Sequence, residues 1–251
     1  MKIVPLVTWM NNSDSLIIKD VPVTSTVIIM KDALIMVDTG MVGNPWLEED
    51  LSNMGYYPSD FDLVINTHLH PDHLGGNQIF TNAAIILSRK EWEYQLSLET
   101  ALQKTDDPTR LLLSRGKKMD DSTETLARDL KSLAEKYPLR KIAGDIKQIR
   151  FIEDHPALPP GLSLMPAPGH SIDSQVVILE GSNKRAIITG DALYHRSMWK
   201  KDYLSNLHYD AEMFNENAER LAAFKGIIIP GHDHAYDSRS EQYIVTDVIE
   251  I

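Results

Sequence analysis

The sequence lacks cysteine, long apolar runs and any excess of basic residues, and each absence excludes a class of function. Because none of the 251 residues is a cysteine, the protein forms no disulfide and offers no thiolate to a metal. No apolar stretch reaches the roughly 20 residues of a membrane-spanning helix. The N-terminus shows no signal-peptide core or cleavage site. We therefore predict a cytoplasmic protein with no membrane partner.

Acidic residues outnumber basic residues by 36 to 25, which gives a formal net charge of −11. Such a chain gains little from the attraction to phosphate that dominates nonspecific nucleic-acid binding, so no nucleic-acid partner is predicted. The hydrophobic content of 43% is typical of an ordered protein with a substantial core. We predict a single domain over residues 1–251.

Short β-branched runs alternate with helical patterns along the chain, which predicts a layered α/β fold. The predicted strands are 23–30 and 33–37, which would form a hairpin, and 83–87, 162–165, 176–179, 186–189 and 226–229. Pro45 is predicted as the first residue of a helix that Gly55 ends. Asp210 is predicted to cap a second helix, with Phe214 and Phe224 on the same side.

Four potential metal ligands lie within six residues, at His68, His70, Asp72 and His73. They follow the apolar segment 63–65, which predicts a buried strand, so the ligands lie where that strand ends. Pro71 disfavours a helical conformation at His70 and therefore a continuous helix through the motif. In an extended segment His68 and His70 point to the same side, whereas Asp72 and His73 can point elsewhere after the turn. This division predicts two metal ions rather than one crowded site.

Three further ligands are predicted at His170, Asp191 and His232. Asp191 and His232 follow β-branched runs, so both would lie at strand ends, where functional residues are common. His170 and His232 each follow a Pro-Gly pair. The same kind of turn is therefore predicted to direct both imidazoles into a shared site.

The order of these seven residues resembles the metallo-β-lactamase superfamily. Its signature is His-x-His-x-Asp-His followed by a His, an Asp and a final His. The resemblance extends from about Val27 to His232. It implies a four-layer αββα sandwich built around a site for two divalent metal ions.

The resemblance also implies a role for each residue. The ligands it implies are His68, His70 and His170 for the first metal, Asp72, His73 and His232 for the second, and Asp191 between them. Asp38 matches a position whose carboxylate supports a ligating His through a hydrogen bond. The ions are expected to be zinc, and manganese, iron and cobalt also suit a His/Asp site.

Asp72 and Tyr194 are the predicted catalytic residues. Two metals about 3.5–4 Å apart can activate a shared water for attack on a carbonyl carbon. Tyr194 follows Asp191 by three residues, a spacing that resembles the acyl-homoserine lactonases, and would donate a hydrogen bond to the developing oxyanion. Packing in the pocket wall is the alternative role for Tyr194. Asp72 would deliver a proton to the leaving group.

Segment 91–148 is polar, rich in helix formers and interrupts the series of ligands. Its apolar residues from Leu126 to Tyr137 have helical spacing, and Pro138 ends that pattern. We predict a helical insertion that folds over the site as a lid and selects the substrate, or that forms a homodimer surface. An insertion without a role in binding is the alternative.

The predicted function is a metal-dependent hydrolase that opens a small ester or lactone, with an acyl-homoserine lactone as candidate substrate. The absence of cysteine departs from the classical β-lactamases, which often place one among the second-site ligands. A glyoxalase II-like thioesterase is an alternative, although those enzymes carry a glutathione-binding helical domain and only a short segment follows His232. A phosphodiesterase, a mononuclear-iron persulfide dioxygenase and a metal-binding protein without activity also remain open.

Overall fold

The computed structural model describes residues 1–11, 19–197 and 207–251. The strands in these ranges are Lys2–Asn11 (β1), Lys19–Ile29 (β2), Leu34–Val37 (β3), Leu63–Ile65 (β4), Ala84–Leu87 (β5), Ile149–Phe151 (β6), Leu162–Pro166 (β7), Gln175–Glu180 (β8), Arg185–Gly190 (β9), Ile227–Pro230 (β10), Tyr236–Asp237 (β11), Gln242–Tyr243 (β12) and Ile249–Glu250 (β13). The α-helices are Trp46–Asn53 (α1), Pro71–Leu74 (α2), Arg89–Lys104 (α3), Pro108–Ser114 (α4), Thr123–Lys136 (α5), Leu139–Ile142 (α6) and Ala211–Ala222 (α7).

Within the described ranges, the strands form two mixed sheets of seven and six strands. The first has the order β13-β1-β2-β3-β4-β5-β6, and the second has the order β12-β11-β10-β9-β8-β7. Neighbours from β3 to β6 run parallel, and so do β9 and β10. Since parallel strands end at the same edge of a sheet, residues that follow them come together there.

The alternation of side chains along β3 shows how the layers are built. Ile35 and Val37 pack between the two sheets, against residues of the second sheet such as Ile188. Leu34 and Met36 point to the other face of the same strand and pack with residues of α1 and α6. A strand covered on both faces has no polar side, which is why β3 reads as four consecutive apolar residues.

Helix α7 covers the outer face of the second sheet through Phe214, Ala218 and Leu221. The order of layers is therefore helix, sheet, sheet, helix, and the predicted αββα sandwich is confirmed. None of the described helices is long and apolar enough to cross a membrane.

Most local predictions agree with the structure, with small corrections at element ends. The hairpin of β2 and β3 is confirmed. Pro45 is the cap before α1 rather than its first residue, and Asp210 caps α7 by accepting a hydrogen bond from the Met213 amide at 3.0 Å. Helix α7 ends at Ala222, so the prediction that Phe224 lies on it is wrong.

Helices α3 to α6 lie between β5 and β6, at the position of the predicted helical insertion. Ser88 caps α3 by accepting from the Glu91 amide, and Asp107 caps α4 ahead of Pro108. Leu112 of α4 packs against Leu126 of α5 in a small separate apolar cluster. Leu98 of α3 packs against the same cluster, so α3, α4 and α5 contact one another.

Candidate metal centre

The His-x-His-x-Asp-His run lies where β4 leaves the first sheet. His70 has an extended backbone, with φ −77° and ψ 148°, and Pro71 opens the short helix α2 immediately after it. His68 and His70 are therefore carried by extended chain, and Asp72 and His73 by a helical turn. This is the division that the position of Pro71 predicts.

Tight backbone packing brings the three distant ligands to the same place. Asp191 follows Gly190, whose φ is +47° and whose added Cβ would lie 2.2 Å from the Thr67 hydroxyl oxygen. His232 follows Gly231, where an added Cβ would lie 2.2 Å from Asp191 Oδ1. Only glycine allows these approaches, so both positions serve to seat the Asp191 carboxylate beside the other ligands.

The seven predicted ligands form two adjoining groups in which the ligand atoms lie within 4.8 Å of one another. The groups are His68, His70, His170 and Asp191, and Asp72, His73 and His232. Asp191 also reaches the second group. Its Oδ2 lies 3.2 Å from Nε2 of both His170 and His232, and its Oδ1 lies 3.2 Å from His73 Nε2. The structure thus places Asp191 between the two groups.

Most of these imidazoles also make a hydrogen bond through the ring nitrogen that faces away from the centre of the cluster. His73 Nδ1 lies 2.9 Å from Asp38 Oδ2, and His232 Nδ1 lies 2.6 Å from the Pro22 carbonyl oxygen. Asp38 also accepts hydrogen bonds from the Thr67 amide at 2.8 Å and the Thr67 hydroxyl at 2.7 Å. Such partners fix the ring orientation and the tautomer of a ligating His.

The protonation of the cluster is strongly perturbed by its own members. Burial and neighbouring imidazoles hold the pKa of His68 well below its ordinary value. Burial opposes a charge on His73 too, but the carboxylates of Asp191, Asp72 and Asp38 outweigh it and raise the pKa of His73 well above the usual range. The pKa of Asp191 is held well below normal, because the surrounding imidazoles outweigh the effect of burial. Groups this closely coupled are typical of a functional site.

Two buried polar atoms of the cluster, His68 Nε2 and Asp191 Oδ1, make no hydrogen bond of good geometry among the described residues, although Asp191 Oδ1 lies 3.2 Å from His73 Nε2. Leaving such atoms unpaired costs free energy, on the order of 1–3 kcal/mol each. Both belong to residues whose other contacts direct them at the centre of the cluster. The donor set of imidazole nitrogen and carboxylate oxygen suits zinc and similar divalent ions, so the residues present fit a pair of metal ions.

A cavity of about 780 Å³ opens onto the cluster. One end is lined by the ligands and by Tyr194, and the other by apolar side chains of the helices inserted between β5 and β6. The apolar residues in this part of the lining are Leu98, Leu102, Leu112, Leu126, Leu130, Leu133, Ala134, Leu139 and Ile142, together with Tyr137 directly after α5. The volume is in the range of small-molecule sites, roughly 300–1,000 Å³.

The two predicted catalytic residues lie at the boundary between cluster and cavity. Asp72 Oδ2 is 3.6 Å from His232 Nε2 and 3.7 Å from His73 Nε2. Tyr194 is 8% exposed, and its ring stacks on Phe214 with centroids 5.6 Å apart. Both residues line the cavity, so both can contact a bound molecule.

Sequence reasoning missed two buried residues beside the cluster. His208 is 6% exposed, and its Nδ1 lies 3.2 Å from His170 Nδ1. Burial lowers the pKa of His208 to about 4. Glu91 of α3 accepts a hydrogen bond from the Asp173 amide at 2.7 Å. Burial, opposed by hydrogen bonds from Ser171 and this amide, raises the pKa of Glu91 to about 7.

The family model of the metallo-beta-lactamase superfamily matches residues 18–234, and the chain belongs to this superfamily. The chain is 27% identical over 243 residues to an N-acyl homoserine lactonase of Bacillus thuringiensis, covering 85% of this chain and 82% of the relative. With its family, its His/Asp cluster and such relatives, the protein is a metal-dependent hydrolase.

Solved structures of lactonases have the same fold. AidC, a dizinc quorum-quenching lactonase in complex with a product, aligns with a TM-score of 0.63 at 19% identity, over 85% of this chain and 73% of AidC. A mutant of AiiA from B. thuringiensis, with N-decanoyl-L-homoserine bound at the active site, aligns with a TM-score of 0.59 at 25% identity, over 92% of this chain and 93% of that one.

Proposed function

We propose that this protein opens the ring of a lactone that carries an acyl chain, with N-acyl homoserine lactones as the substrate class to test first. The observation that carries the proposal is one continuous cavity among the described residues, which joins the His/Asp cluster to an apolar chamber between α3, α4 and α5. A polar ring with a long apolar tail matches both ends of that cavity.

The proposed ligand set is the one that the family resemblance implies. His68, His70 and His170 would hold one ion, Asp72, His73 and His232 the other, and Asp191 both. When bound, a pair of divalent ions supplies Lewis-acid polarisation of the carbonyl and lowers the pKa of a water to about 7. Each group of ligands offers imidazole nitrogens and carboxylate oxygens, and the Asp191 carboxylate reaches both groups, so together they are well suited to hold two such ions.

Asp72 and Tyr194 would act directly on the substrate. The phenol of Tyr194 would donate a hydrogen bond to the carbonyl oxygen as negative charge develops there, and its buried ring, stacked on Phe214, fixes where that donor lies. Asp72 would take a proton from the water that adds to the carbonyl carbon and pass it to the ring oxygen as the ring C–O bond breaks. Opening of the lactone then gives a hydroxy acid, so each turnover releases a proton to the medium.

The relatives support the choice of substrate. The curated relative of B. thuringiensis is named an N-acyl homoserine lactonase, and the AiiA mutant holds a decanoyl product. The apolar chamber of the present chain offers room for a comparable tail. We therefore expect turnover to improve as the acyl chain lengthens from butanoyl to decanoyl.

The test is acid release from butanoyl, hexanoyl and decanoyl homoserine lactones by the zinc-loaded protein. Asp191→Asn keeps the shape of the side chain but removes its charge, and we expect it to lose both bound ions and turnover. Asp32→Asn changes an exposed carboxylate in the turn before β3 and serves as the matched control. Two bound ions without turnover on any of the three lactones would contradict the proposed substrate class, and full turnover by Asp191→Asn would contradict the proposed ligand set.

A further inference from the structure

The imidazole of His170 has an outer partner of a different kind from those of His68, His73 and His232. His73 faces a carboxylate, His232 a backbone carbonyl, and His68 the Thr67 hydroxyl, whose oxygen lies 3.1 Å from His68 Nδ1. The Nδ1 of His170 instead faces a nitrogen of a second imidazole, His208 Nδ1, at 3.2 Å.

We propose that His208 is a positioning residue, which accepts a hydrogen bond from His170 Nδ1–H and so orients His170 Nε2 toward the metal centre. The proposal rests on the ligand set given under the proposed function. It assigns His208 no contact with the substrate or with the ions.

The tautomers follow from the geometry. The Nε2 of His170 lies 3.2 Å from Asp191 Oδ2 and 3.1 Å from His70 Nδ1, so it is the nitrogen that faces the ligand cluster. A neutral imidazole that offers the lone pair of Nε2 to a metal carries its proton on Nδ1. His170 Nδ1 must then donate, and His208 Nδ1 must present a lone pair. The remaining proton of His208 is therefore on Nε2.

His208 is held in place for this role on several sides. Its ring stacks on Phe214, with centroids 3.8 Å apart and planes 10° apart. Lys117, in the loop between α4 and α5, donates a hydrogen bond to the carbonyl oxygen of His208. These contacts fix both the ring and the backbone of His208 independently of any metal.

Backbone hydrogen bonds tie the segment of His208 to the segment of His170. The Tyr209 amide donates to the His170 carbonyl at 2.9 Å, and the Asp210 amide donates to the Gly169 carbonyl at 2.9 Å. Two backbone hydrogen bonds therefore hold the two segments side by side. These backbone hydrogen bonds already fix the position of the His170 backbone. The contact between His170 Nδ1 and His208 Nδ1 can therefore set the rotation of the His170 ring.

Two substitutions at the same position separate the hydrogen bond from the packing. His208→Phe retains a flat ring that can stack on Phe214 but has no acceptor. His208→Asn places an amide oxygen near the position of Nδ1, so it can accept from His170. His155→Asn is the matched control, because His155 is exposed and its φ of +51° is one that Asn adopts readily.

The measurement is the content of both zinc ions across a series of chelator concentrations. The lost ion is assigned from the ring-nitrogen chemical shifts of His170 and His73. We expect His208→Phe to lower the affinity for the zinc ion at His170 by roughly 10–100-fold and to leave the affinity for the other ion unchanged. His208→Asn should recover most of that affinity, and His155→Asn should match the wild type.

Equal retention of both ions by His208→Phe would overturn the proposal, and so would equal weakening of both ions in a variant that remains folded. If His208→Phe does not fold, the wild-type holoenzyme decides, because its ring-nitrogen spectra show which nitrogen of His208 carries the proton. A proton on Nε2 of His208 supports the proposal, and a proton on Nδ1 refutes it. A wild-type protein that binds no metal would instead contradict the proposed function.

Discussion

Replacement of Asp38 by Asn tests whether a single buried carboxylate supports the second group of ligands. Asp38 is 1% exposed and accepts three hydrogen bonds, two from Thr67 and one from His73 Nδ1. Its φ of +54° lies in the left-handed region, which Asn tolerates well, so the substitution adds no backbone strain. The effect therefore comes from the replacement of one oxygen by an NH₂ group.

The geometry decides which hydrogen bond is lost. An amide nitrogen at the position of Oδ1 would face the Thr67 N–H, which cannot turn away. At the position of Oδ2 it would face the Thr67 hydroxyl, which can rotate to accept, and His73 Nδ1–H, which cannot. We therefore expect His73 to lose its acceptor, at a cost of about 1–3 kcal/mol.

The expected result for Asp38→Asn is a roughly 10–100-fold weaker affinity for the ion at His73, with the ion at His170 retained. Chelator competition measures the affinities, and urea unfolding of the metal-free protein measures the stability. Asp32→Asn, in an exposed turn, is the control and should change neither quantity. Wild-type affinity for both ions together with unchanged stability would refute the account of Asp38.

Three further predictions concern the cavity and the buried acid of α3. Tyr194→Phe should lower kcat for lactone opening by roughly 10²–10³-fold with metal content unchanged, and an unchanged kcat would leave Tyr194 as a packing residue. Leu130→Trp should reduce kcat/KM for a decanoyl lactone by about tenfold or more, because a larger side chain fills the apolar end of the cavity, and leave a butanoyl lactone almost unaffected. Burial raises the pKa of Glu91 in the folded protein to about 7, so the carboxyl of the unfolded chain loses its proton at a lower pH than that of the folded protein. The contribution of the protonated Glu91 to stability is therefore full below its ordinary pKa and is lost by about pH 7 as the pH rises. Urea unfolding in chelator should therefore show Glu91→Gln gaining up to about 3 kcal/mol over wild type at pH 8 and little at pH 4, whereas the exposed Glu93→Gln should show no such trend.

The sequence predicts the ligands because each lies beside a strong local signal. Asp191 and His232 follow apolar β-branched strands and a glycine, and Pro71 separates the two halves of the His-rich run. Strand ends meet at one edge of a sheet, so residues distant in sequence could be assigned to one site. The parallel pairing of β9 with β10 produces this arrangement for Asp191 and His232.

His208 and Glu91 could not be found in the same way, because only tertiary contacts give them their surroundings. Glu91 lies in a polar stretch at the start of α3 and reads as an exposed charge, yet the docking of that helix against Asp173 buries it. His208 belongs to no regular pattern, and its partner His170 is 38 positions away. No strand is predicted before residue 23, yet the structure has β1, which pairs with β2 over ten residues.

The most direct test of the central claim is a crystal structure of the metal-loaded protein with anomalous data collected at the metal absorption edge. The account predicts two anomalous peaks about 3.5–4 Å apart. One should lie among His68, His70 and His170, the other among Asp72, His73 and His232, and Asp191 should contact both. A single peak, or two peaks without a contact to Asp191, would contradict it.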